Sequence, residues 1–193
     1  MVAGTHGRRL WWRHLLSFLL FPVTMTVVIP ALIAPVADVR APDLGSWRSG
    51  GLAAIGALLI IGGVSMLIWT VALFHRVGQG TLGVGSVMGE PVHLVVRGPY
   101  RHVRNPMISG VLCILLGESA LTMSTALLVW FAIFLACQTI AIRFWEEPHL
   151  IERYGQEYLT YRDNVPRWIP RISAWRPSNV SEPFAAGHHG AHR

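Results

Sequence analysis

Long apolar runs alternate with short, arginine-bearing polar stretches along this chain. Four runs stand out: residues 15–37 (LLSFLLFPVTMTVVIPALIAPVA), 50–74, 107–123 (MISGVLCILLGESALTM) and 125–145 (TALLVWFAIFLACQTIAIRFW). A helix needs about 20 apolar residues to cross the hydrocarbon core of a bilayer. The first two runs reach that length easily; the third is short and holds Glu118. Beyond Trp145 the pattern changes. Leu150, Tyr154, Tyr158 and Tyr161 recur at three- and four-residue steps, with Glu152, Arg153, Glu157 and Arg162 largely elsewhere. That is the signature of an amphipathic helix, interrupted near Gly155 and ended by Pro166. The expected fold is therefore all-α and integral to the membrane: about four transmembrane helices plus a cytoplasmic C-terminal amphipathic helix.

The polar stretches set the orientation. Arg8, Arg9 and Arg13 precede the first run, Arg76, Arg97, Arg101 and Arg104 lie between the second and third, and six arginines follow the fourth. The 38–49 loop offsets Arg40 and Arg48 with Asp38 and Asp43, and the 122–125 turn has no basic residue. Cytoplasmic loops carry the excess of positive charge, so both termini and the 75–106 loop are expected in the cytoplasm. The first run exceeds the h-region of a cleaved signal, and Pro22, Pro30 and Pro35 fit a kinked membrane helix instead. Three parts follow: an N-terminal transmembrane hairpin over 1–74, a core over 75–171, and a polar, disordered tail over 172–193. Residues 75–92 are glycine-rich but match neither the dinucleotide nor the P-loop pattern. His188, His189 and His192 fall in the tail and read as part of it rather than as a metal site.

Composition reinforces the membrane reading. Charged residues make up 13% of the chain and hydrophobic ones 52%, against about 25% charged in an ordinary soluble domain. All sixteen basic residues are arginine, and the formal net charge is +6. Arginines flanking apolar spans act as topology determinants and contacts to anionic lipid, not as a nucleic-acid surface. Cys113 and Cys137 lie inside apolar runs without metal spacing, which suggests buried free thiols.

The candidate chemistry gathers at one place. RGPYRHVRNPMISG, residues 97–110, places arginines and two X-Pro turns at the start of the third run. Pro106 suits the first turn of a helix, with Asn105 near its N-cap. The free N–H groups there and the adjoining Arg101 and Arg104 suit a carboxylate or phosphate. Topology alone also explains these arginines. Glu146 and Glu147 follow the fourth run, which the short turn brings back antiparallel to the third. The two motifs should therefore be spatial neighbours. Adjacent carboxylates beside arginines, roofed by Trp145, Tyr154 and Tyr158, can bind a ligand that is both cationic and anionic.

Taken together, G-P-Y-R-x-x-R-N-P-M-x-x-G and, one helical hairpin later, E-E-x-x-L-x-x-x-Y-G-x-x-Y-x-x-Y-x-x-x-V-P-R-W-x-P resemble the isoprenylcysteine carboxyl methyltransferase and phospholipid methyltransferase superfamily. The likeness covers roughly residues 75–171. It implies a multi-span membrane enzyme of bacterial type, in the inner membrane, using S-adenosyl-L-methionine. It also implies a cofactor site lined by His93, Leu94, Val95, Val96, Tyr100, Arg104, Asn105, Pro106, Glu146 and Glu147. An arginine shortly before the paired glutamates serves the substrate carboxylate in the isoprenylcysteine enzymes, and Arg143 stands near that place. Better-known members carry His where Asn105 stands and often Tyr where Ile108 stands. Glu118 reads either as part of the acceptor pocket, steering a cationic head group or serving as a base, or as a packing residue near the outer interface.

The expected reaction is methyl transfer to a lipophilic or membrane-associated acceptor, a carboxylate of isoprenylcysteine type or a lipid amine. A small-thiol methyltransferase, a non-catalytic membrane scaffold and an NADPH-dependent membrane reductase are the alternatives. Expected partners are membrane lipid and the methyl acceptor, with no nucleic acid; the oligomeric state is not legible.

Overall fold

The computed structural model describes residues 20–37, 39, 46–77, 94 and 96–176, with backbone alone over 74–77. Every regular element among them is helical. Apolar helix α1 spans Leu20–Val36, α2 Trp47–Val77, α3 Pro106–Thr122 and α4 Thr125–Ala141. Two short helices follow: α5 over Glu147–Tyr154 and α6 over Gln156–Asn164. The break between them falls at Gly155, whose φ of 52° and ψ of −127° lie outside the helical region. Glycine pays little for such a backbone.

Two stretches, Trp47–Leu73 and Thr125–Tyr154, are long and apolar enough to cross a membrane. The other two apolar helices, Leu20–Val36 and Pro106–Thr122, are shorter. Four spans were expected; two meet the length among the described residues, and 15–19 of the first run lie outside them.

The most extensive packing joins α2 to α3, and its cause is four glycines. A Cβ on Gly56 would stand 2.7 Å from the Gly117 carbonyl oxygen, and one on Gly63 would stand 2.6 Å from that of Gly110. Glycines seven residues apart on each helix thus let the backbones touch, as small residues do between membrane helices. Val111, Leu112 and Leu115 of α3 pack with Phe134 of α4, and Phe21, Met25, Leu67 and Trp168 close around them. Trp130 Nε1 donates to the Met25 carbonyl at 3.3 Å and ties α4 to α1. Cys113 is half-buried and Cys137 is exposed; both are free thiols. The expectation that both are buried fails for Cys137, which lies on the outward face of α4.

Two helical stretches widen into a π-turn, Thr24–Val28 and Ile142–Glu146. Each ends two residues before a proline. Ile29 N–H reaches back five residues to Thr24, ahead of Pro30, and Glu147 N–H reaches Ile142, ahead of Pro148. Proline lacks an N–H, and its ring clashes with the carbonyl four residues earlier. The wider turn absorbs that clash. The second π-turn also governs how Arg143, Phe144, Trp145 and Glu146 are presented at the mouth of the bundle.

Candidate active site

Three pieces of chain meet at the N-terminal end of α3. The first is the turn before it. Gly98 has φ 54°, and a Cβ there would lie 3.3 Å from the Leu73 side chain, so glycine answers both strain and crowding. Gly98–Arg101 forms one 3-10 turn with Pro99 buried. His102 and Val103 N–H both donate to the Pro99 carbonyl, at 2.9 and 3.1 Å. Asn105 occupies the N-cap position of α3 without a side-chain capping bond, and Pro106 is its first residue.

The second piece is α6. Tyr158, Tyr161 and Val165 form a buried cluster against which Leu94, Val96, Leu150 and Tyr154 pack. Tyr161 Oη donates to the Tyr100 carbonyl at 2.8 Å. The expected apolar stripe of this helix therefore faces the turn. Burial first, and the Glu146 carboxylate second, push the Tyr100 hydroxyl far above the usual phenol range. Burial, then Tyr100, raise Tyr161 in the same sense. Both hydroxyls remain protonated donors.

The third piece is a strap, residues 165–176, that returns over the turn. Arg104 N–H donates to the Pro166 carbonyl, Arg171 N–H to that of His102 and Trp175 N–H to that of Arg101, each at 2.9 Å. Arg101 Nε donates to the Trp175 carbonyl at 2.8 Å. His102 Nδ1 lies 2.8 Å from the Arg171 carbonyl. The ordered chain thus extends past Arg171, where a disordered tail was expected to begin; residues 177–193 lie outside the described part.

These pieces enclose an ion cluster. Glu147, 3% exposed, receives Arg104 Nη1 at 2.8 Å and Arg167 Nη2 at 2.6 Å on the same oxygen, Oε1. Arg104 also bonds the Tyr158 side chain. A carboxylate this buried requires compensation, and two guanidinium groups supply more than one charge. Both Nε atoms, of Arg104 and of Arg167, are buried and lack an acceptor among the described residues. The adjacent Glu146 is more exposed and takes no hydrogen bond from either arginine among the described residues; partial burial and the Glu147 charge push its carboxyl up, against the pull of Arg104 and Arg167. Its charge is felt at Tyr100.

Most of the expected site is thus brought together: Leu94, Val96, Tyr100, Arg104, Asn105, Pro106, Glu146 and Glu147 all border this mouth. His93 and Val95 lie outside the described residues. Arg143 is exposed on the π-turn and does not join the Arg104–Glu147–Arg167 cluster. Glu118 stands twelve residues beyond Pro106 on α3, about 18 Å along the axis at 1.5 Å per residue, so it belongs to a different level of the molecule. Its Oε2 is buried without a partner among the described residues. Trp145 was expected to roof the site. It is instead 73% exposed, because it sits on the outward side of the π-turn, and Tyr158 takes the inner position. Arg167 also belongs to the cluster, although the resemblance implies no role for it. Its setting between Val165-Pro166 and Trp168, immediately after a terminated helix, is the signal that an ordered return followed.

The chemistry of this mouth is one carboxylate, Glu146, with no hydrogen bond among the described residues, beside two arginines with unused Nε donors and two protonated tyrosines. That set suits a zwitterion such as an amino-acid group. The family model for phospholipid methyltransferase matches residues 52–157, which include the turn, both glutamates and the start of α6. No curated protein and no solved structure gives a significant match. With more than half its length matched, and the matched part carrying these motifs on apolar helices, the chain belongs to the phospholipid methyltransferase family of membrane methyltransferases.

Proposed function

We propose that the chain is an S-adenosylmethionine-dependent methyltransferase acting on a lipophilic or membrane-associated acceptor, a lipid amine or an isoprenylcysteine-type carboxylate. The observation that carries this reading is the division of labour between the paired glutamates. Glu147 is consumed by Arg104 and Arg167, while Glu146 remains exposed beside Tyr100.

The residues fit the cofactor's amino-acid end. Glu146 supplies the counter-charge for an ammonium group. The unused Nε–H groups of Arg104 and Arg167 suit a carboxylate, as do the free N–H groups at the start of α3 behind Asn105 and Pro106. Leu94 and Val96, with His93 and Val95 beside them in sequence, supply apolar lining. Bound S-adenosylmethionine supplies an electrophilic methyl group on a sulfonium. The chain's own contribution is alignment and exclusion of water. Glu147 holds the two arginines in place, and the strap covers the turn. Arg143 and Glu118 are assigned to the acceptor side, the first at the mouth and the second deep in α3. A carboxylate acceptor needs no base, whereas an ammonium acceptor must first lose a proton.

In this reading α1 to α4 all span the membrane, bacterial inner membrane by the family likeness, with both termini in the cytoplasm. Residues 75–171 form the catalytic core behind an N-terminal hairpin.

The test is transfer of labelled methyl from S-adenosylmethionine by purified protein in nanodiscs. The acceptors offered are phosphatidylethanolamine, a prenylcysteine and a small thiol. Label is expected in the amine or the carboxylate product, and is lost in Glu146→Gln. Absence of label in all three products at saturating cofactor contradicts the proposal; label in the thiol alone overturns the acceptor class.

A further inference from the structure

The strap has a second face. Trp168 is half-buried and packs against the α3–α4 cluster formed by Val111, Leu112, Leu115 and Phe134. That contact carries the strap to the level of the apolar helices. Its neighbours Ile169 and Ile172 are almost wholly exposed. Nothing in helix periodicity excuses them, since residues 165–176 form no helix. A second exposed apolar pair, Phe144 and Trp145, occupies the π-turn. The Arg167–Glu147 bond at 2.6 Å ties the two pairs together. Arg167 stands two residues before Ile169, and Glu147 two residues after Trp145.

Charge separates this surface from an ordinary protein contact. From Val165 to Arg176 the chain has three arginines, of which Arg167 is spent on Glu147, and no acidic residue. Isoleucine beside arginine, level with aromatic residues at the end of a membrane helix, is the composition of a segment lying in the interface. The heads of Arg171 and Arg176, which unlike Arg167 are not held in the ion cluster, can reach lipid phosphate while the apolar side chains enter the acyl boundary.

We infer that the 165–176 strap is a monotopic membrane anchor, inserting Ile169 and Ile172 into the anionic cytoplasmic leaflet beside Phe144 and Trp145. This extends the site's reading without depending on the cofactor. The strap that delivers Arg167 to Glu147 is held from its other side by lipid.

The full chain, with Cys113 and Cys137 replaced by alanine, is labelled through Ile172→Cys or Ile169→Cys with an environment-sensitive fluorophore. Single copies are placed in nanodiscs of phosphatidylcholine with phosphatidylglycerol. Thr160→Cys, exposed on α6, gives the solvent reference. At positions 169 and 172 a blue-shifted emission is expected, quenched at least about twofold by lipids carrying a shallow acyl-chain spin label, consistent with burial of roughly 5–10 Å. Quenching should weaken when phosphatidylglycerol is omitted. Water-like emission at both positions overturns the inference. So does blue-shifted emission that lipid quenchers leave untouched, because another part of the protein then covers the strap. Neither result depends on methyl transfer, so failure here leaves the proposed activity standing.

Discussion

Glu146 and Glu147 are one peptide bond apart and do different work. Glu147 is buried with two arginines on a single oxygen. Breaking such a pair strands buried charge and costs about 3–5 kcal/mol. Glu147→Ala is therefore expected to lower the unfolding midpoint in detergent, and to weaken binding of S-adenosylhomocysteine as a consequence. Glu146→Gln should leave the midpoint unchanged and weaken binding alone. Thermal unfolding read alongside affinity separates the two; equal destabilisation by both contradicts the division. Arg167→Ala should resemble Glu147→Ala, since it orphans the same carboxylate, whereas Arg101→Ala removes a bond to the Trp175 carbonyl and should have the smaller effect on affinity. That Arg104 stands beside the paired glutamates was legible from the two motifs. Which glutamate is free was not, because adjacent identical residues carry no sign of which way each faces. That follows from the π-turn.

At the scale of the element, prolines and glycines set the geometry. Pro148 imposes the π-turn that separates Glu146 from Glu147. Pro148→Ala removes its cause and permits the regular hydrogen bond to Phe144. Residues 143–146 should then rotate relative to Glu147, and affinity for S-adenosylhomocysteine should fall although helical propensity rises. Unchanged affinity would show that the turn does not orient Glu146. Gly63 tests the other contact. Its Cβ would meet a backbone oxygen at 2.6 Å and Ile114 Cγ1 at 2.7 Å, and backbone cannot yield as a side chain does. Gly63→Ala should cost about 1–3 kcal/mol by overpacking, measured as a lower unfolding midpoint, while Gly62→Ala, with open space around it, should cost little. Apolar runs announced these helices. Neither run, however, stated which glycines face the partner helix, since α2 is apolar all round and its periodicity points nowhere.

Across the whole molecule, arginine distribution and helix order make a claim about sidedness. Cysteines introduced at Ser46, before α2, and at Thr160, on α6, should label from opposite faces of sealed vesicles. Labelling from one face would leave an even number of crossings between them and break the four-span reading. The meeting of the 97–106 turn with the 146–147 pair was legible, because a two-residue connection forces α4 to return beside α3. The strap was not. Its residues carry no periodic pattern, and their order comes from backbone bonds to Arg101, His102 and Arg104, which only the folded chain reveals. The most direct test of the central claim is titration of S-adenosylhomocysteine into the purified protein in nanodiscs, with NADPH as the comparison. A hundredfold excess over Kd should stabilise the native chain by about 2.7 kcal/mol. NADPH should give no such effect, and Glu146→Gln should abolish that of S-adenosylhomocysteine. No stabilisation by S-adenosylhomocysteine, or stabilisation by NADPH in its place, would contradict the account.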